Sequence, residues 1–411
     1  MTTPEFRTVP EAHLDRALDL HDLVFHGKSE EEPRKLLREL LQRCERIGAY
    51  DGDELVGLLV AHRLRLSVPG GELPCAGVTF VSVAPTHRRR GVLTGMVAEL
   101  WRRCAAGGQP LAALWVSQAA IYGRFGFDPA THAYTVEIDS SRPLALRVPH
   151  DERPLRLVAP ADAPAVVEDL HQAHRAHRGG RVARDAFWWR HLILPEKSEE
   201  NEDLSPPRVV TVGDGAGAPA AGYAVYRTHG GDDGTGAPGT VHVEELEAAT
   251  PHVAATLWRY LASIDLTDKV RAWGRPVDDP LLDFAADRDQ VRVVQEFPAL
   301  WLRLVDVPAA LRARAWATDT DLVLDVRDEG VPGNAGRFRL TTRASGATVT
   351  RTADTPDLAL DVRELAGCYL GGTSLERLVR AGLATEHTPG AARALDEALR
   401  TAHAPHTVDD F

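Results

Sequence analysis

The sequence predicts an α/β (α+β) protein: two successive units of mixed sheets flanked by helices, with a third, smaller α+β unit behind them. Three observations lead there. The chain has 411 residues, too many for one core at ~100–200 residues per domain. Short β-branched apolar runs alternate with amphipathic helical segments. The order strand, helix, strands, helix of the first part loosely recurs after a proline-rich tract, which places the divisions at residues 1–145, 146–297 and 298–411.

In the first unit a short strand at Phe6–Val9 precedes a helix opening near Pro10-Glu11, a pair suited to a first helical turn. Leu36, Leu37, Leu40 and Leu41 make one stripe of a second helix over Glu32–Arg46. Ile47–Tyr50 and Leu55–Arg65 form a hairpin turning at Asp51-Gly52-Asp53. Cys75–Ala84 is an apolar strand, Leu93–Ala106 a helix, Leu111–Val116 a strand, Ala119–Phe125 a short helix and Thr131–Ile138 a strand. Ser140–Pro154 is a linker. The middle unit opens at Leu155–Val158, with surface loops at Glu196–Pro207 and Gly230–Gly239. The last unit has strands at Val323–Val326, Gly336–Thr341 and Ala347–Arg351. Its helices are Asp361–Leu370, Ser374–Ala381 and Gly390–Arg400.

Charged residues are 26% and hydrophobic residues 44%, as in a folded globular protein. The formal charge of -12 argues against a nucleic-acid partner or an anionic membrane surface. No apolar run reaches ~18 residues and no leader pattern opens the chain, so a cytoplasmic protein off the membrane is expected. Cys44, Cys75, Cys104 and Cys368 form no C-x-x-C pair, which predicts free thiols and no metal. His171, His174 and His177 could be read as a metal cluster, but i+6 turns well away from i on a helix, so a solvated helix face is the expectation. Phe187, Trp188 and Trp189 read as a core or contact patch.

The stretch Thr79–Met96 carries the chemistry. A strand runs into Ala84-Pro85, a turn of arginines follows, and a helix opens at Gly91-Val92. Unpaired N–H groups and the dipole at a helix N-terminus bind phosphate, glycine allows close approach, and arginines add charge-assisted hydrogen bonds. The strand offers backbone groups to an extended ligand arm. The candidate cofactor-binding residues here are Val81, Ser82, Val83, Arg88, Arg89, Gly91 and Val92. The pattern resembles the GNAT acetyltransferase pyrophosphate motif, R/Q-x-x-G-x-G/A, with Leu93 departing at its last place. A second motif runs Ser117-Gln-Ala-Ala-Ile-Tyr122-Gly-Arg-Phe125-Gly126-Phe127. It resembles the later GNAT signature, whose tyrosine lies near the thioester sulfur. A phenol titrating near ~10 can give a proton to a thiolate of pKa near ~8.5.

Over its whole length the chain resembles the Eis (enhanced intracellular survival) family, two GNAT units followed by a sterol-carrier-protein-like domain. The likeness is carried by Val81–Leu93 and Ala120–Phe127, and by Asp357–Asp361, Tyr369–Thr373 and Pro405–Phe411. It implies acetyl-CoA as cofactor and N-acetylation of a small-molecule amine, aminoglycosides among them. Ser117 and Ala120 would line the cofactor channel. Tyr122 would be the general acid, and the α-carboxylate of Phe411 the general base. The middle unit has no counterpart to Arg88–Gly91 and is expected to be silent. Family pockets are acidic; Asp409 and Asp410 would contribute charge, whereas His26 and Gly27 depart from the acidic pattern. The resemblance also implies a homo-oligomer, a hexamer. A protein-lysine or polyamine acetyltransferase, or a hydrophobic-ligand carrier using the C-terminal domain, are the alternative expectations.

Overall fold

The computed structural model describes residues 4–198, 201, 203–215, 218–231 and 238–411. The loops expected at Glu196–Pro207 and Gly230–Gly239 fall partly outside these residues. In chain order β1 (Glu5–Thr8) leads to α1 (Leu14–Phe25) and α2 (Glu31–Arg43), then β2 (Glu45–Asp51), β3 (Glu54–Val68) and β4 (Gly71–Val83). Then come α3 (Val92–Ala106), β5 (Leu111–Leu114), α4 (Ala119–Tyr122), β6 (Asp128–Pro129) and β7 (His132–Asp139). The middle continues with β8 (Leu155–Val158), α5 (Pro164–His177), α6 (Ala186–Trp188), β9 (Arg208–Val212), β10 (Gly222–His229) and β11 (Gly239–Ala248). It ends with α7 (Pro251–Leu261), β12 (Thr267–Pro276), α8 (Leu281–Phe284) and β13 (Val291–Pro298). The remainder is β14 (Trp301–Leu304), α9 (Val307–Ala313), β15 (Thr320–Arg327), β16 (Gly336–Arg343), β17 (Gly346–Arg351) and β18 (Leu358–Asp361). Last come α10 (Val362–Cys368), α11 (Leu375–Arg380), β19 (Ala384–Glu386) and α12 (Ala391–Leu399).

The chain forms two compact units: residues 1–130, 300–401 and Phe411 make one, and residues 131–299 and 402–410 the other. In the first unit the strands run β1-β2-β3-β4-β5-β14-β6, and a separate sheet of β17-β16-β15-β18-β19 follows. In the second unit the order is β13-β7-β12-β11-β10-β9-β8. The two larger sheets repeat one pattern. Four antiparallel strands lead to a parallel neighbour across a helix, β4–α3–β5 in one and β11–α7–β12 in the other. Two antiparallel strands complete each sheet.

That completion departs from the sequence expectation. The strand expected at Thr131–Ile138 forms as β7, but it pairs with β12 and β13 in the second unit. Its place in the first unit's sheet, between β5 and β6, is taken by β14 from beyond residue 297. The divisions expected at 145/146 and 297/298 are thus each offset by a strand. Long-range ladder pairing decides this, and local periodicity carries no record of it.

Local chemistry explains several boundaries. Gly52 at φ 63 turns the β2–β3 hairpin at the expected acidic loop. α2 stops at Arg43, three residues short of the expected end, because Cys44 goes extended into β2. α7 is capped by Thr250, α9 by Asp306 and α11 by Ser374, each side chain accepting a backbone N–H of its first turn. All four cysteines are free and buried, consistent with their reading as small core residues.

Candidate active site

In the first unit β4 and β5 pair in parallel from Cys75↔Leu111 to Val78↔Leu114. There β5 ends, while β4 runs on to Val83. The last stretch of β4, carrying Val81, Ser82 and Val83, therefore opens away from its parallel neighbour. A bulge against β3 accompanies this opening, and Phe80 takes φ 49 inside it. Val81 and Val83 are half-buried. The Ser82 side chain is buried and its hydroxyl lies 3.5 Å from His21 Nδ1.

The arginine turn leads directly into α3. Arg88, Arg89 and Arg90 are exposed. Arg89 and Gly91 both have positive φ, 61 and 76, so the chain doubles back and aims successive N–H groups outward. Gly91 is the N-cap of α3, and no side chain caps the first turn. A Cβ on Gly91 would meet nothing within 4 Å. The Val92 side chain is instead in the core, against Gly57. Arg88 Nε donates to Val83 O at 3.4 Å and ties the turn to the end of β4.

Ser117 and Ala120 are exposed just beyond β5. Tyr122 is buried at the end of α4, its ring edge-on to Phe127 at 6.2 Å. Burial pushes its phenol above the usual value, which keeps it protonated at neutral pH. The turn behind it closes through Gly126, at φ 82, and a Phe127 N–H donating to Tyr122 O.

Phe411, the second catalytic candidate, packs its ring edge-on against His62 at 5.8 Å. His62 on β3 stands opposite Gly77 on β4. A Cβ on Gly77 would run into Leu64 Cδ1 and lie 3.0 Å from the Phe411 ring, so the glycine leaves room for both side chains. The His62 imidazole lies 3.3 Å from Cys44 Sγ, and burial pulls it down to about 4, so it is neutral. Sequence reasoning missed His62 and Gly77. A glycine inside an apolar strand was the available signal.

The same sequence matches known families in three places. Residues 5–130 match an acetyltransferase (GNAT) domain, residues 180–304 another GNAT domain, and residues 307–408 a sterol carrier protein domain. An uncharacterized N-acetyltransferase of Streptomyces avermitilis is 41% identical over 94% of this chain and 95% of its own length. The N-acetyltransferase Eis of Mycobacterium tuberculosis is 33% identical over 89% of this chain and 88% of its own. The chain belongs to the Eis family of GNAT N-acetyltransferases. A crystal structure of an Eis protein from Mycobacterium abscessus covers 99% of this chain at 33% identity, with TM-score 0.84.

This Eis-family member is therefore an acetyltransferase, and membership in the GNAT family implies acetyl-CoA as donor. The first unit fits such a ligand. Its α3 start is uncapped, open at Gly91 and ringed by arginines, beside strands that splay. Among the described residues no helix is long and apolar enough to cross a membrane.

Two expectations need correction. The Asp409 carboxylate does not serve an acceptor pocket. It is fully buried within the second unit, 2.6 Å from Arg184 Nε and accepting from Trp188 Nε1 at 3.0 Å. The histidines of α5 are a solvated face only at His177. His171 is fully buried, 3.2 Å from Val182 O, and His174 pairs with Glu247. Helical spacing does not reveal that β11 brings Glu245 and Glu247 against this face of the helix.

Proposed function

We propose that this Eis-family enzyme transfers acetyl from acetyl-CoA to primary amines of small molecules, aminoglycosides among them, in the first unit. The uncapped, open N-terminus of α3 carries the proposal, because such a helix end suits a diphosphate. The backbone at Val81, Ser82 and Val83 would hold the extended arm, with Ser117 and Ala120 beside it. Arg88, Arg89 and the N–H groups following Gly91 and Val92 would hold the phosphates. Bound acetyl-CoA supplies an acetyl group activated as a thioester.

The chain's own groups then move two protons. The Phe411 carboxylate takes one from the acceptor nitrogen as the C–N bond forms. The Tyr122 phenol gives one to the sulfur as the C–S bond breaks. Backbone N–H groups near Val81 polarise the carbonyl. The GNAT fold of the first unit would carry this chemistry. The second unit would be a silent GNAT-like copy, and the sterol-carrier-like stretch of residues 307–408 would lead to the base at Phe411. Family resemblance supports a homo-hexamer.

The test is thiol release from acetyl-CoA with a panel of aminoglycosides, polyamines and lysine peptides, run on wild type, Tyr122→Phe and a chain lacking Phe411. Loss of kcat of ~10²-fold or more is expected on removing Phe411, with a smaller loss for Tyr122→Phe. Wild-type rates in the shortened chain would remove the terminal carboxylate from the mechanism. Turnover of lysine peptides or polyamines alone would favour the alternative acceptors. Failure to bind acetyl-CoA in calorimetry would leave only a ligand carrier.

A further inference from the structure

The turn that carries Tyr122 is pressed from behind by two arginines that lie far downstream in sequence, and both meet it at glycines. A Cβ on Gly123 would lie 2.7 Å from Arg363 Nη1 and 2.9 Å from its Cζ. A Cβ on Gly126 would lie 2.8 Å from Arg303 Nη1 and 2.9 Å from its Cζ. Arg303 is buried, whereas Arg363 is exposed and held by one carboxylate. Arg363, on α10, donates through Nε to Asp128 Oδ1 at 2.9 Å, one residue beyond Phe127. The other oxygen of Asp128 presses on α10 at Gly367, where a Cβ would come within 2.6 Å. Arg303, on β14, is fully buried and donates through Nη2 to Asp328 Oδ2 at 2.6 Å. Asp328 is itself fixed, accepting from the N–H groups of Gly330 and Val331 at 3.0 Å and from Asn334 Nδ2 at 3.0 Å.

The signature glycines thus have a physical reason beyond turn geometry. Gly123 is in ordinary right-handed conformation, which any residue adopts, so its lack of a side chain answers the guanidinium packed on it. An alanine there would displace the Arg363 head from the seat it takes on the turn.

We propose that Arg363 and Arg303 are positioning residues for the Tyr122 phenol, through which the C-terminal part of the chain sets the geometry of the acyl-transfer step. The inference rests on the assignment of Tyr122 made above. It gives the sterol-carrier-like domain a part in catalysis that requires no ligand of its own.

The test uses the full-length protein with Arg363→Ala, Arg363→Lys and Arg303→Lys. For each, kcat, KM, acetyl-CoA Kd by calorimetry, melting temperature and the pH profile of kcat are measured. Arg363→Ala is expected to lower kcat about tenfold while acetyl-CoA Kd holds, because a small misplacement of a reacting group costs rate rather than affinity. Its alkaline limb should move down toward pH ~10, because a loosened turn wets the phenol and returns it toward its ordinary value. Arg363→Lys should recover part of the rate by keeping the ion pair with Asp128. Arg303→Lys should behave like Arg363→Ala; should it fail to fold, the Arg363 pair decides alone. Wild-type kcat and alkaline limb in Arg363→Ala would overturn the proposal. So would a rate loss with an unmoved limb and no recovery in Arg363→Lys, which marks plain structural support. Tyr122→Phe, run alongside, separates the failures: an unchanged kcat there sinks the assignment of Tyr122 and this inference with it. A reduced kcat there with inert arginine variants sinks the inference alone.

Discussion

The two large sheets of this chain share a topology and differ at one helix start. In both, a strand runs past the end of its parallel ladder and turns into the crossover helix. In the first unit the turn is Arg88-Arg89-Arg90-Gly91, and α3 begins with no side-chain cap and open space at its N-cap. In the second unit the turn is Ala248-Ala249-Thr250-Pro251. The Thr250 hydroxyl accepts from Val253 N at 3.3 Å, and Pro251 at the first helical position has no N–H to offer. A helix end that satisfies itself has little left for a phosphate.

The strand openings differ in the same sense. Beyond its last pairing with β12 at Val243↔Ala272, β11 carries Glu245 and Glu247, both buried. Arg181 and Arg184 pair with them, Tyr223 donates its hydroxyl to Glu245 at 2.8 Å, and Asp409 closes the set. Burial disfavours charge on Arg184, but Asp409 and Glu245 outweigh it and hold its guanidinium above the ordinary value. The equivalent stretch of β4 carries Val81, Ser82 and Val83 and no such network. One scaffold therefore yields an uncapped helix start beside a strand end of small and apolar residues in one unit, and a buried charged network at the corresponding strand end in the other.

The largest expected effect lies in the closed unit. Arg184→Met should lower stability by ~3–5 kcal/mol, because it leaves Asp409 and Glu245 as buried carboxylates without their main partner. Urea unfolding checks this. A variant with the wild-type midpoint would mean the network is idle, and the contrast between the units would lose its physical basis. The burial of Asp409 also predicts a direction with pH. Burial raises the Asp409 carboxyl, but Arg184 outweighs it and holds the group below its usual range. Its stabilisation is present at neutral pH and is lost as pH falls below ~4.

The open unit gives the next effect. Arg88→Ala and Arg89→Ala should each weaken acetyl-CoA binding by about 1.5 kcal/mol, the low end for hydrogen bonds to charged groups, since both side chains are exposed. Calorimetry at two salt concentrations reads this directly, with a shallower salt dependence expected in each variant. Full affinity in the double variant would move the diphosphate away from α3.

What the sequence made legible follows from how local each feature is. The arginine turn, Gly91 and the Tyr122 signature are contiguous, so a strand-to-helix transition with its phosphate-binding end could be recognised in one dimension. Most strands and helices were legible for the same reason. The exchange of β7 and β14 between sheets was not, because both strands have ordinary apolar patterns and only distant partners decide where they pair. Asp409 was misassigned for a related cause: an acidic pair at a chain end looks solvated until Arg184, 225 residues away in sequence, is known to face it. His62 and Gly77 belong to the Phe411 surroundings only through strand register, and no spacing rule connects them to the last residue.

The smallest expected effect tests the helix starts themselves. Thr250→Ala removes the α7 cap and should cost ~1 kcal/mol of stability. It should create no second acetyl-CoA site, since Pro251 still withholds an N–H and the carboxylates of β11 still repel a phosphate. Gly91→Ala is the counterpart in the open unit. Space is not limiting there, but φ 76 is, so a strain of ~1–2 kcal/mol falls on the turn that aims the N–H groups. The two variants should therefore lose similar stability, while Gly91→Ala alone weakens acetyl-CoA binding. Equal binding in both would show that the geometry of the arginine turn is irrelevant to where the cofactor sits. A second binding event in Thr250→Ala would show that the closed unit is held shut by its cap alone.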